Sequence, residues 1–341
     1  MRDVLTTLAG WADAGVPAAL GIVTRVNRSA PRQPGSAMAR AATGAIAGSV
    51  TGGCVEPDVV AHADRVLAGE PAHLVPYGIA DEDAFEVGLP CGGEVDVFVE
   101  SMDPVLIRRL RDEVAAERPV AYATVIAGPG VGTRRVVVPG DDPADPLVAA
   151  ALGPLRWGDT ELVEVGEDTV LVHGMAPRPA MYVFGAIDHA AAVAGMGRFL
   201  GYRVTVCDAR EAFLTPERFP AADELVCEWP HRFLESAPVD HRTAVCVLTH
   251  DAKFDVPALQ VALDGPAGYI GAMGSKRTTE RRRARLLQEG VTEDQLSRIH
   301  APIGLSIGAR TPEEVGIAVA AEIVRTFRQA PVAADEARAH V

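Results

Sequence analysis

Residues 180–190 read Ala-Met-Tyr-Val-Phe-Gly-Ala-Ile-Asp-His-Ala. An apolar run from Ala180 to Gly185 has the length of a buried strand and stops on a glycine turn. Ala190 to Leu200 carries a helical pattern, and Arg203 to Asp208 is again a short apolar strand. Thr243–Thr249 and Gly268–Met273 repeat the strand pattern farther along. Strands alternating with helices predict a Rossmann-like, doubly wound parallel sheet. The last helix starts at Thr311-Pro312-Glu313-Glu314, a capping box with proline in the first turn. Val315, Ala318, Val319 and Ile323 form its apolar face.

Working backwards, Ala176-Pro177-Arg178-Pro179 reads as a linker. The segment before it has a different grammar. Val4–Ala14 reads as a helix and Ala18–Val26 as an apolar strand. Ala45–Val50 is short and apolar, and Pro57–Ala68 is helical. Glu94–Glu100 alternates Val95, Val97 and Val99, and Ala121–Ile126, Arg134–Val138 and Val170–His173 are further strands. Pro139–Pro146 reads as a loop. The fold class is α/β, with an N-terminal α/β domain over 1–175, the Rossmann-like domain over 176–330, and a frayed tail over 331–341.

Bulk properties narrow the function. The 341 residues are 48% hydrophobic, as a globular chain is, so wholesale disorder is not expected. A net charge of -14 disfavours nucleic acid and anionic membrane surfaces. The first residues lack the apolar core of a secretory signal, and no run approaches the roughly 20 apolar residues of a membrane span. The 5 cysteines are scattered without CxxC spacing, which fits a reduced, cytoplasmic protein. Lys253 and Lys276 are the only lysines, so a lysine inside a motif carries weight.

Two glycine-rich cysteine turns stand out: Thr51-Gly52-Gly53-Cys54-Val55-Glu56 and Leu89-Pro90-Cys91-Gly92-Gly93-Glu94. Glycines let backbone approach a ligand and adopt positive φ. Nearby amides or a helix N-terminus would lower a thiol's pKa, and thiolate binds soft metals. The alternative is a small buried cysteine in a tight turn. The loop Ser29-Ala30-Pro31-Arg32 offers a hydroxyl and a guanidinium to an anion, or is simply solvated. Gly271-Ala272-Met273-Gly274-Ser275-Lys276-Arg277 joins a strand end to a helix start, where free amides favour an anion. Gly185, with Asp208 placed 23 residues later, occupies the position of a dinucleotide fingerprint. Ile187 stands where backbone should touch pyrophosphate, which speaks against NAD(P). Thr249-His250-Asp251 offers acid–base groups or a loop cap. His300 is expected to be structural, and Cys207, Cys227 and Cys246 to lie on or beside apolar strands.

Together these motifs resemble the XdhC/CoxI family of xanthine dehydrogenase accessory factors. The resemblance rests on Gly48–Glu56, Gly88–Gly93, Cys207-Asp208-Ala209-Arg210, Arg218-Phe219-Pro220, Tyr269–Arg277 and His300–Glu314. It implies a protein that binds the molybdenum cofactor (molybdopterin), supports its sulfuration with a cysteine desulfurase partner, and inserts it into a xanthine dehydrogenase-type molybdenum hydroxylase client. Cys54 and Cys91 would be the metal-side ligands, with Gly52, Gly53, Gly92, Gly93, Arg32, Gly185, Asp208, Gly274, Ser275, Lys276 and Arg277 around the cofactor. This is a binding and delivery role without catalytic residues, and it leaves room for a homodimer. The alternative is an NAD(P)-dependent oxidoreductase using the Rossmann-like domain.

Overall fold

The computed structural model describes residues 1–27, 32–78 and 93–329. They group into two compact units, Met1–Pro177 and Arg178–Val341. Ser29, Ala30, Pro31, Cys91, Gly92 and the tail 331–341 lie outside the described residues.

The first unit opens with α1 (Arg2–Asp13), then β1 (Ala18–Asn27), β2 (Ala37–Ala41) and β3 (Ile46–Gly48). α2 (Glu56–Leu67), β4 (His73–Tyr77) and β5 (Glu94–Ser101) follow. The order of this first sheet is β3-β2-β1-β5-β4, with every pairing antiparallel. α3 (Pro104–Ala115), β6 (Val120–Ala127), β7 (Arg134–Val137), α4 (Pro146–Trp157), β8 (Thr160–Val165) and β9 (Asp168–Met175) complete the unit. They build a second antiparallel sheet, β7-β6-β9-β8. The first unit is therefore α/β in composition with no parallel pairing among its described strands.

Strand alternation sorts the side chains of β1 into two cores. Leu20 and Ile22 face a cluster shared with Leu5 and Leu8 of α1, Ile107 and Leu110 of α3, and Tyr122 and Leu171 of the second sheet. Ala19 and Val23 face α2 through Val59, Ala63 and Val66. Between the sheets Glu100 is fully buried, accepting from Tyr122 Oη at 2.8 Å and Thr124 Oγ1 at 3.2 Å. Burial raises its pKa against the pull of Arg134. α3 and α4, which the sequence pattern does not reveal, both start at an Asp-Pro pair. Asp103 caps Val105 N and Asp145 caps Leu147 N, with Pro104 and Pro146 in the first turn.

The second unit contains β10 (Ala180–Phe184), α5 (Asp188–Phe199), β11 (Arg203–Cys207) and β12 (Glu224–Val226). α6 (Pro230–Ser236), β13 (Ala244–Val247), α7 (Ala252–Asp264), β14 (Tyr269–Ala272) and α8 (Lys276–Gln288) come next. α9 (Glu293–Ser297), β15 (Ile299–His300) and α10 (Pro312–Gln329) close it. All pairings are parallel, in the order β12-β11-β10-β13-β14-β15. This is the dinucleotide-fold order, with its switch point between β10 and β13. α5 and α10 cover one face through Val193, Ala194, Val319 and Ile323, and α7 covers the other through Val256, Leu259 and Leu263. His300 lies in a two-residue strand, its ring stacked on Tyr269 with centroids 4.7 Å apart.

Two glycines give opposite expectations. A Cβ on Gly174 would lie 1.9 Å from Pro154 O, where α4 docks on β9, whereas Gly195 inside α5 has open space. We expect Gly174→Ala to destabilise the protein by about 1–3 kcal/mol, as overpacking does. Gly195→Ala should be neutral or gain up to about 1 kcal/mol of helix propensity. Urea denaturation of the two variants checks this, and equal effects would contradict the packing.

Candidate functional site

Antiparallel pairing brings three connections to one end of the first sheet. Asn27, at the end of β1, is opposite Glu94, at the start of β5, and Tyr77, at the end of β4, is opposite Val95. β3 ends at Gly48, paired with Met38 near the start of β2. The chain thus leaves this end toward the Ser29–Arg32 loop, toward the Gly48–Glu56 turn, and into the segment carrying Cys91. Gly93, just before β5, is the described neighbour of Cys91. A small cavity of about 180 Å³ opens here, lined by Arg25, Asn27, Pro76, Tyr77, Gly78, Glu94 and Asp96.

The Cys54 turn is organised by an acid rather than by the thiol. Gly52 and Gly53 adopt φ of 92° and 129°, which needs glycine and points successive amides inward. Glu56 Oε1 accepts from Ser49 Oγ (2.5 Å), Val50 N (3.1 Å), Thr51 N (2.8 Å) and Gly52 N (2.9 Å). Its Oε2 accepts from Thr51 Oγ1 (2.9 Å), Gly53 N (2.8 Å) and Val55 N (3.2 Å). Burial opposes ionisation of Glu56, but the donors of Ser49, Thr51 and Gly52 outweigh it and bring the carboxyl down to about 2. The amides that the sequence suggested for the thiol are committed to this carboxylate. Cys54 is half-buried, packed at the edge of the α2-facing core. Arg32 lies 3.5 Å from Asp3.

In the second unit, the sequence-predicted residues all fall at the C-terminal edge of the parallel sheet. Gly185 turns with φ 110°, and a Cβ there would come within 3.0 Å of Thr249 Cγ2. Ile187 takes the N-cap position of α5 and packs on the core. Asp208 is buried and already occupied. Its Oδ2 accepts from Ala186 N at 2.7 Å and Arg210 Nη2 at 2.8 Å, and its Oδ1 from Arg210 N and Nε, each at 2.9 Å. Both oxygens that would take a ribose diol thus hold the glycine turn and Arg210. Although burial pushes the other way, these donors lower the pKa of Asp208.

Ser275 caps α8 by accepting from Thr278 N, and Gly274 precedes it with φ 154°. Lys276 and Arg277 are exposed in the first turn, with no ion-pair partner among the described residues. Behind them Arg282 is buried, bonded to Asp255 Oδ2 at 2.6 Å and Met273 O at 2.7 Å, while its Nη1 has no partner among the described residues. Asp251 caps α7 through Lys253 N and pairs with Lys253 Nζ at 3.1 Å, which is the loop-capping alternative for that motif. Cys207 and Cys246 are buried and burial pushes each thiol up to about 12, whereas Cys227 is exposed and cannot serve as a buried counterpart.

A Rossmann-type parallel unit preceded by an antiparallel unit with a glycine-rich cysteine turn defines the class. Residues 181–323 match the XdhC Rossmann domain, and residues 11–78 match the XdhC and CoxI family. The two matches, one in each unit, make the chain similar to the XdhC and CoxI family. It is 26% identical over 334 residues to a protein of Bacillus subtilis described as a probable xanthine dehydrogenase subunit, covering 92% of this chain and 94% of that protein. It is also 26% identical over 313 residues to the molybdenum cofactor insertion chaperone PaoD of Escherichia coli, covering 91% and 83%. The fold matches a crystal structure described as a xanthine dehydrogenase from Bacillus halodurans, with a TM-score of 0.68, 24% identity, and coverage of 96% of this chain and 95% of that one. No helix among the described residues is long and apolar enough to cross a membrane.

Glu56 gives a pH-dependent expectation. Its folded pKa of about 2 lies below the ordinary 4.5, so its contribution is complete above pH 4.5 and is lost as pH falls toward 2. Glu56→Gln removes a charge that accepts hydrogen bonds, which should cost about 1.5–3 kcal/mol at pH 7. It should also flatten the acid limb of a stability–pH profile between those values. An unchanged acid limb in the variant would show that Glu56 does not hold the turn.

Proposed function

We propose that the protein binds the molybdenum cofactor at the loop end of its first sheet and delivers it to a xanthine dehydrogenase-type molybdenum hydroxylase. The carrying observation is the convergence of three connections on one sheet edge, one of them a rigid turn bearing Cys54 and another the segment bearing Cys91. Sulfur handling with a cysteine desulfurase, a cytoplasmic location and assembly as a homodimer belong to the same reading. The kinship with a molybdenum cofactor insertion chaperone supports it.

The chemistry of the edge suits this cargo. Molybdenum and its dithiolene sulfurs are soft, and thiolates suit soft centres. A pterin edge is rich in N–H donors, and Glu94 and Asp96 offer carboxylate acceptors in the cavity wall. Arg25 in the same wall suits an anionic phosphate, whereas Arg32 is engaged by Asp3. Gly52 and Gly53 have open space around them and leave room for backbone approach, and Gly92 and Gly93 belong to the same reading. In the second unit Gly274, Ser275, Lys276 and Arg277 form a helix start that would accept an anion by itself. Gly185 and Asp208 act there as supports of the turn, since the Asp208 oxygens are taken.

The test is a thiol variant. Cys54→Ser/Cys91→Ser keeps approximate size but replaces soft donors with hard ones. We expect its fold to survive, by circular dichroism and urea denaturation, while molybdenum retained after purification from a molybdate-replete host falls severalfold. Cys246→Ser should do the reverse, lowering stability and sparing molybdenum. Full molybdenum content in the double variant, with unchanged activation of a client hydroxylase, would make the thiols structural.

A further inference from the structure

The outer faces of two helices in the second unit differ in kind. α8 turns charged residues to solvent, among them Glu280, Arg281, Arg283 and Arg285. α10 instead leaves Ile317 52% and Val324 44% exposed. At 3.6 residues per turn, Glu313, Ile317, Ala321, Val324 and Arg328 fall on one stripe, all within about 40° of Ile317. The stripe lies opposite the buried face, which is made by Ala318, Val319, Glu322 and Ile323.

α5 widens this apolar surface. It packs beside α10, where a Cβ on Gly316 would lie 3.1 Å from Ala192 O. The two helices run the same way along the sheet. A Cβ on Gly197 of α5 would meet Met181 near the start of β10, and one on Gly268, just before β14, would meet Phe327 of α10. α5 therefore brings Phe199, 84% exposed, and Leu200 to the end of the sheet where α10 also ends. Scattered exposed apolar side chains are ordinary, but large ones gathered on two neighbouring helices mark a contact surface.

The charges along the stripe select what covers it. It begins acidic at Glu313, is apolar through Ile317, Ala321 and Val324, and ends basic at Arg328. A two-fold axis passing beside Ala320 and Ala321 makes this pattern complementary to itself. Glu313 then faces Arg328 of the second copy, Ile317 faces its Val324, and Ala320 faces its Ala321. The alanines stand where the helices cross, so the axes can approach toward the short end of the usual range of about 8–10 Å. A parallel pairing would set Glu313 against Glu313 and Arg328 against Arg328, so charge favours the antiparallel one. A contact of this isologous kind closes as a dimer.

We propose that α10, flanked by the end of α5, is the interface through which two copies of this chain pair about a two-fold axis, each α10 antiparallel to its counterpart. Ile317, Val324 and Phe199 leave water on pairing, and Glu313 and Arg328 set the register. This surface is where the homodimer of the functional reading forms, and its formation does not require the cofactor.

Sedimentation equilibrium of the full chain, from low to high micromolar concentration, tests this. We expect a monomer–dimer equilibrium. Ile317→Glu and Val324→Glu should each weaken pairing by roughly tenfold or more, because each puts an unpaired charge into the apolar seam twice per dimer. Glu313→Arg sets cation against cation at both ends of the seam and should also favour the monomer. Adding Arg328→Glu to Glu313→Arg reverses each pair and should restore the dimer, a rescue that general damage to α10 would not give. All four positions are exposed, so the circular dichroism of the variants should match the parent. The measurement is made on protein with and without molybdenum, so a chain that pairs but carries no cofactor fails only the functional reading. A chain that stays monomeric throughout would overturn the interface and leave the stripe to another occupant, such as the client or residues 330–341. A dimer indifferent to Ile317→Glu and Val324→Glu, or a charge swap that does not restore pairing, would overturn it equally.

Discussion

A glycine-rich turn exposes amides that must find acceptors, and in this protein one carboxylate takes most of them. Glu56 gathers the donors of Ser49, Val50, Thr51, Gly52, Gly53 and Val55 from its place in the first turn of α2. Its negative charge also suits the helix N-terminus. The turn and the helix therefore start from one fixed point. From there Val59, Ala63 and Val66 are set against the outer face of the first sheet, and Asp58 is set against Tyr77. His62, one turn on, reaches His73. Cys54 owes its placement to the same contacts, because it follows the two glycines whose amides Glu56 holds.

The second unit uses its acids in the same way. Asp208 fixes the turn after β10, Asp255 pairs with Arg282 at 2.6 Å, and Asp223 accepts from Val204 N and Arg178. Carboxylates at strand ends of a parallel sheet invite a functional reading, since ligands bind there. In this unit Asp208 is consumed by a turn, and Asp255, in the first turn of α7, by a buried pair. The fold keeps the strand order of a dinucleotide-binding domain without leaving open the ribose-binding acid that such domains use. Lys276 and Arg277, at the start of α8, have no ion-pair partner among the described residues.

The parallel sheet is legible because each of its four inner strands is a local apolar run ending on a recognisable turn, whereas the short edge strands Glu224–Val226 and Ile299–His300 carry no such run. Ala180–Phe184, Arg203–Cys207, Ala244–Val247 and Tyr269–Ala272 all fall inside the runs read from sequence. The first unit was less so. Its strands were visible one by one, but antiparallel pairing joins residues as distant as Asn27 and Glu94, and no local pattern encodes that. α3 and α4 were missed although Asp103-Pro104 and Asp145-Pro146 announce them, because Pro154 and flanking loop residues mask the periodicity of α4. The cysteine turns drew attention for their thiols, while Glu56, the residue that organises the first of them, looked like an ordinary helix-start acid. Cys227 sits just past an apolar strand, and strand proximity alone did not reveal that it is exposed. His62 and His73 meet only because helix and strand pack, so their pairing had no signature in spacing.

The central claim is that this chain carries the molybdenum cofactor. The most direct measurement is the content of the untreated protein, purified from a molybdate-replete host, by elemental analysis for molybdenum and fluorescence of the oxidised pterin. The account predicts both together, in equal amounts and approaching one per chain, with no bound nicotinamide. A nicotinamide nucleotide without molybdenum or pterin would contradict it and turn attention to the parallel sheet as the working site.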